Sequence, residues 1–209
     1  MYMKIFIAGA TGRVGEELIK NLTAKGHDIY AGARRDQDIE ATDSVKPVHL
    51  DLHGTVDEIA DTLADAEAVY FVAGSRGKDL LQTDLYGAVK LMQAAEQKGI
   101  KRYIHLSSLF ALQPDKWSEA LTEYNIAKFF SDNWLIDKTK LDYTILQPGT
   151  LKEIPGSGKI TTDITEKSEN AIENVATVLA ALLEQDNTIK KVILMGDGDT
   201  PIEEAVKKI

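Results

Sequence analysis

The residues Gly9-Ala10-Thr11-Gly12-Arg13-Val14-Gly15 follow a short apolar run, Lys4-Ile5-Phe6-Ile7-Ala8, and open an amphipathic one from Glu16 to Ala24. Glycines at this spacing let a backbone turn tightly, approach a pyrophosphate and pack the next helix against the preceding strand. The first amides of that helix then face phosphate oxygens. The chemistry on offer is the binding of a dinucleotide, with Gly9, Thr11, Gly12, Arg13, Val14 and Gly15 forming the cradle.

A second apolar run ends in Gly32-Ala33-Arg34-Arg35, and Arg34 stands about 19 residues after Gly15. An acidic residue near this place grips the ribose hydroxyls of NAD, whereas an arginine accommodates the 2′-phosphate of NADP. Arg34 and Arg35 therefore favour NADP(H), with NAD(H) possible, and Arg13 is a second partner for the same phosphate. The competing reading makes both arginines solvated charges, and Asp36 and Asp38 lie close by. Asp51, beside Leu52 at the end of Val48-His49-Leu50-Asp51-Leu52, can accept from an adenine amino group or cap the next helix. Ala73 and Gly74 are small enough for the backbone to lie against the cofactor. Arg76 and Lys78 read as a solvated loop, with anionic-substrate binding as the alternative.

These residues need a frame. Strand-like runs fall at 4–8, 28–33, 45–50, 68–72, 103–106, 143–146 and 191–195, and helix-like runs at 13–25, 55–63, 83–97, 121–137, 170–184 and 201–208. Strands rich in Val, Ile and Leu that alternate with helices predict an α/β fold. The expectation is a single doubly wound Rossmann domain over 1–209, with a parallel sheet of about seven strands and helices on both faces. Two irregular stretches, 109–120 and 149–168, leave strand ends where ligands sit in such sheets, and read as a small loop-built lid.

Composition narrows the partners. A net charge of −9 opposes a nucleic-acid or anionic-membrane surface. There is no cysteine, which excludes disulfides and thiolate chemistry and fits a cytoplasmic protein. No apolar stretch is long enough to span a bilayer, and the N-terminal apolar run is too short for a signal peptide. The four histidines show no metal spacing, and His105, inside a strand, reads as a satisfied core residue. A small-molecule substrate and a monomer or homodimer are expected.

The ordered set Gly9–Gly15, Arg34, Asp51-Leu52, Ala73-Gly74, Leu106-Ser107-Ser108, Tyr124-Asn125-Ile126-Ala127-Lys128 and Gln147-Pro148-Gly149 resembles the short-chain dehydrogenase/reductase superfamily. It is most similar to the small atypical, epimerase-like members, and the likeness covers about residues 1–150. The resemblance implies a catalytic Tyr-x-x-x-Lys pair on the helix after the fifth strand, downstream of a serine. The spacing occurs twice, as Tyr86…Lys90 and Tyr124…Lys128, and only the second has the family order; the first pair reads as helix surface. Residues four apart share a helix face, and a nearby ammonium favours a phenolate, so such a pair can exchange a proton with a substrate oxygen.

By the same resemblance Ser108 orients the substrate oxygen, Lys128 also reaches the nicotinamide ribose, and Ser107, Pro148 and Gly149 contact the cofactor. Asp84 takes the place of the usual fourth catalytic Asn, with a helix-cap role for Thr83 or Asp84 as the alternative, and Gln147 stands where relatives often carry a substrate-facing Arg. The implied activity is an NADP-dependent oxidoreductase or epimerase-like enzyme moving hydride between nicotinamide and a carbonyl or hydroxyl carbon. The alternative is a non-catalytic NADP(H)-binding redox sensor.

Overall fold

A computed structural model describes residues 2–209. The strands are β1 (Lys4–Ala8), β2 (Asp28–Ala33), β3 (Val45–His49), β4 (Ala68–Phe71), β5 (Arg102–Leu106), β6 (Asp142–Pro148), β7 (Thr150–Lys152), β8 (Lys159–Thr161), β9 (Glu169–Ala171), β10 (Lys191–Asp197) and β11 (Thr200–Pro201). The helices are α1 (Arg13–Ala24), α2 (Val56–Thr62), α3 (Ala88–Gln97), α4 (Thr122–Lys138), α5 (Ile172–Leu182) and α6 (Ile202–Lys207).

One nine-stranded sheet runs β11-β8-β10-β6-β5-β4-β1-β2-β3. Its pairings from β3 to β10 are all parallel, and only β8 runs antiparallel, to both β10 and β11. The order reverses between β1 and β4, which opens the crevice in which doubly wound sheets bind ligands. The seven apolar runs became the seven parallel strands. The sheet exceeds the expected count because β8 and β11 add to it, three and two residues long and too short to show a periodicity. The 170–184 helix begins at Ile172, because Glu169–Ala171 pairs with β7 in a separate two-stranded sheet.

Side chains alternate across the strands and so build two cores. Ile5, Ile7, Ala68 and Tyr70 face α1, α5 and α6, where α1 contributes Val14, Leu18 and Leu22 at four-residue spacing. Phe6, Ala8, Val69 and Phe71 face α2, α3 and α4. The run expected to be one helix over 83–97 instead begins as a wide π-type turn, Leu80–Gly87, that leads into α3. Gly87 lets that turn sit on Leu52, since a Cβ there would fall 2.9 Å from the Leu52 Cβ. No helix among the described residues is long and apolar enough to cross a membrane.

Candidate functional site

The glycine turn lies at the end of β1, tied to β2 by the Gly9 and Ala10 amides, which both donate to the Gly32 carbonyl. Gly9 has φ +99°, and a Cβ there would sit 2.6 Å from the Ala73 backbone, so the turn and the end of β4 touch only because Gly9 has no side chain. A Cβ on Gly15 would fall 2.2 Å from the Gly9 carbonyl oxygen. α1 therefore starts directly on the turn. Its N-cap is Gly12, with no side-chain cap, so among the described residues no side chain claims the amides that begin the helix. An uncapped helix start in a turn that excludes Cβ atoms fits a pyrophosphate. Thr11 is half-buried, and Val14 is buried beneath the turn. Arg13 points to the α5 side, where its guanidinium pairs with Glu153 at 2.8 Å.

At the end of β2 the charges sort themselves. Arg35 pairs with Asp38, and Asp36 pairs with His49, whereas Arg34 is exposed and has no ion-pair partner within 4.0 Å among the described residues. Asp38 and Asp36 are thus engaged by Arg35 and His49 rather than by Arg34. Asp51 does not cap α2. Thr55 and Glu58 do so reciprocally, while Asp51 Oδ1 accepts from the His53 amide in a local turn. Leu52 is buried, and Ala73 and Gly74 close the end of β4. Asp79 bridges Thr83 and His53, and the Thr83 hydroxyl, then His53, holds its carboxyl below the usual range, with Arg34 adding to the effect. Arg76 (φ +54°) and Lys78 are exposed loop residues, as expected.

α4 brings the Tyr–Lys pair together. Tyr124 is half-buried one turn before Lys128, whose ammonium is 5.8 Å from the Tyr124 ring centroid and 5.4 Å from that of Phe71. Lys128 is only 2% exposed and donates to the Leu106 carbonyl at 3.1 Å. Ser108 is half-buried immediately beyond β5. Ser107 is different. Its hydroxyl donates to Asp132 and its amide to Leu146, so its side chain serves the interior. Pro148 is buried at the end of β6, and the Gly149 amide donates to both Asn170 Oδ1 and the Met195 carbonyl.

Asp84 lies within the π-type turn, which removes the helix-cap reading. It is fully buried, with Oδ2 accepting from the Ser75 amide and Oδ1 without a hydrogen-bond partner. The other pair, Tyr86 and Lys90, is not simply helix surface. Tyr86 is exposed, but Lys90 is buried, and its ammonium donates to the Gly54 carbonyl and lies over the Tyr86 ring. Lys90 thereby ties α3 to the turn before α2, and burial lowers its pKa.

Asp132 escaped sequence reasoning, and His105 and Gln147, both named from the sequence, take roles around it that the sequence did not show. Asp132, one turn beyond Lys128, accepts from Ser107 Oγ at 2.6 Å and Gln147 Nε2 at 2.9 Å, and its other oxygen is 3.4 Å from His105 Nε2. His105 is stacked on Phe71, and neither ring nitrogen makes a well-formed hydrogen bond, so it is not the satisfied core residue expected. Burial lowers its pKa. Gln147 turns inward to Asp132 rather than towards the loops. The available signals were the four-residue step from Lys128 to Asp132 and the two-residue steps that place His105 with Ser107 and Ile145 with Gln147. Asn170, also missed, holds Gly149.

The two irregular stretches meet: Lys116 Nζ donates to the Thr165 carbonyl, Trp117 Nε1 to the Phe110 and Ala111 carbonyls, and the Trp117 ring packs edge-on against Phe129 of α4. Among the described residues no group of acidic and histidine side chains could hold a metal ion.

A family model described as NAD(P)H-binding matches residues 9–186, from the glycine turn to beyond α5. The chain belongs to this NAD(P)H-binding family. An uncharacterized sugar epimerase of Bacillus subtilis, YhfK, is 35% identical, with 99% of this chain and 100% of that one covered. The crystal structure of the oxidoreductase ylbE from Lactococcus lactis is 48% identical, with a TM-score of 0.95 over 99% of this chain and 96% of that one. A short-chain dehydrogenase/reductase from Veillonella parvula, solved with NADP, shares the fold at 18% identity and a TM-score of 0.76, over 96% of this chain and 97% of that one. The NAD(P)H-binding match thus begins at the turn where Cβ atoms are excluded, and it includes the α4 pair.

Proposed function

We propose that the protein is an NADP(H)-dependent oxidoreductase or epimerase-like enzyme of the short-chain dehydrogenase/reductase type, acting on a carbonyl or hydroxyl carbon of a small molecule. The observation that carries this reading is the buried Lys128 ammonium beneath the half-buried Tyr124 on one face of α4. A solvent-facing lysine would serve solubility; a buried one next to a phenol can stabilise its ionised form.

Gly9, Thr11, Gly12, Val14 and Gly15 would hold the pyrophosphate, and Arg34 the 2′-phosphate. Ala73, Gly74, Pro148 and Gly149 would line the crevice, and Asp51 would accept from the adenine. When bound, the nicotinamide supplies or accepts hydride. Tyr124 gives or takes the proton of the substrate oxygen, Ser108 orients that oxygen, and Lys128 steadies the phenolate and meets the ribose. Asp84 lies under the crevice floor with one oxygen free to receive a donor. The loops 109–120 and 149–168, joined through Lys116 and Thr165, form the lid that excludes water.

NADPH oxidation measured against aldehydes, ketones, quinones and flavins tests the proposal. Turnover is expected, and Tyr124→Phe should lower it by about 100-fold or more while NADPH affinity stays within about threefold. Full turnover in that variant would overturn the role of Tyr124. Tight NADPH binding without turnover on any acceptor would support the sensor reading instead.

A further inference from the structure

Tyr124, Lys128 and Asp132 follow one another at four-residue steps on the inner face of α4, and burial deepens along the row until Asp132 is 0% exposed. Two formal charges are thus placed one turn apart on the inner face of α4, and a further buried carboxylate, Asp84, lies on the π-type turn packed against that helix. The Lys128 ammonium has a backbone carbonyl for a partner, and Asp132 has a hydroxyl and an amide. His105, lowered by burial, is neutral near pH 7, and it feels the two charges with opposite sign: Asp132 raises its pKa and Lys128 lowers it. The charges grip consecutive residues at the end of β5, Lys128 through the Leu106 carbonyl and Asp132 through the Ser107 hydroxyl.

Shape alone does not call for a carboxylate here. An asparagine at position 132 with its Oδ1 in place of the Asp132 Oδ2 would still accept from both Ser107 Oγ and Gln147 Nε2, and its Nδ2 would face His105 Nε2. What asparagine cannot supply is charge, and taking an unpaired charge out of water is costly.

We infer that Asp132 is the counter-charge of the Tyr124–Lys128 pair, a positioning residue that lets the site hold a positively charged nicotinamide ring above a buried lysine. The inference rests on the proposed function, which puts the nicotinamide over this pair. An oxidised nicotinamide carries a positive charge that the reduced ring lacks. The Lys128 ammonium alone would disfavour the oxidised form, and Asp132 offsets it. The carboxylate therefore sets the relative affinity for the two redox states.

The test measures dissociation constants for NADP+ and NADPH by direct titration, with no substrate present. In Asp132→Asn the ratio of the NADP+ constant to the NADPH constant should rise by about 3- to 10-fold. Adding Gln147→Glu, which moves the carboxylate to the other side of the same hydrogen bond, should bring the ratio back. Gln147→Arg, which leaves Asp132 in place but cancels its charge, should raise the ratio by itself and serves if the first variant folds poorly. A purely structural role would move both constants in parallel. An unchanged ratio in the folded variants overturns the inference. Turnover of Tyr124→Phe judges the catalytic reading separately, because the titrations require none.

Discussion

Arg34 differs from the charges around it in what surrounds it rather than in what it is. Its neighbour Arg35 is occupied by Asp38, and Asp36 by His49, so Arg34 of this group is exposed without an ion-pair partner within 4.0 Å among the described residues. A charge-assisted hydrogen bond to a 2′-phosphate contributes roughly 1.5–3 kcal/mol. Arg34→Ala should therefore weaken NADPH binding by about 10- to 100-fold and leave NADH binding nearly unchanged, which titration of both coenzymes would show. Equal losses for the two would remove Arg34 from the 2′-phosphate site. Arg13, in the glycine turn, pairs with Glu153, 140 positions away, a contact between well-exposed side chains that the sequence could not show.

The turn before α2 shows how local chemistry sets an element's boundary. Thr55 accepts from the Glu58 amide, and the Glu58 carboxylate accepts from the Thr55 amide in return, a reciprocal cap that frees Asp51 from that duty. Thr55→Ala should cost about 1 kcal/mol, read as a thermal midpoint lower by about 2–4 °C, with coenzyme affinity unchanged. Elements of this kind were largely legible. All seven parallel strands and the helices between them follow from apolar periodicity, and the glycine turn follows from spacing. What stayed hidden depends on partners far along the chain. β8 and β11 exist only because they pair with each other and with β10. The π-type turn before α3 carries Thr83 and Asp84, whose partners Asp79 and Ser75 lie in the preceding loop. Tyr124 and Lys128 were legible through their order, whereas Asp132, Gln147 and His105 were not, because a buried polar cluster is recognised only once three elements converge.

The folded chain should lose stability on mild acidification. His27 is buried, and its Nδ1 accepts from the Met3 amide, a role that needs the neutral ring. Burial lowers the pKa of His27 and of His105, so the unfolded chain takes up protons that the folded chain refuses. Their contribution is fully present above the unfolded value of about 6.5 and is lost as pH falls through and below it. Thermal midpoints measured between pH 7.5 and pH 5.5, on the order of one unit either side of that value, should fall with pH. His27→Asn, whose Oδ1 can stand in for Nδ1, should flatten the dependence. A variant curve that runs parallel to the wild type would exclude His27 as a source.

The two edges of the main sheet share a trait that bears on how copies of this protein can meet. At one edge β3 reads Val45-Lys46-Pro47-Val48-His49, and at the other β11 is only Thr200-Pro201. A proline has no amide hydrogen to offer a new strand, and the charged Lys46 and the brevity of β11 discourage one further. Both edges thus carry features that disfavour growth by strand addition. A densely apolar parallel core is therefore bounded at both edges by strands ill suited to pair with another chain.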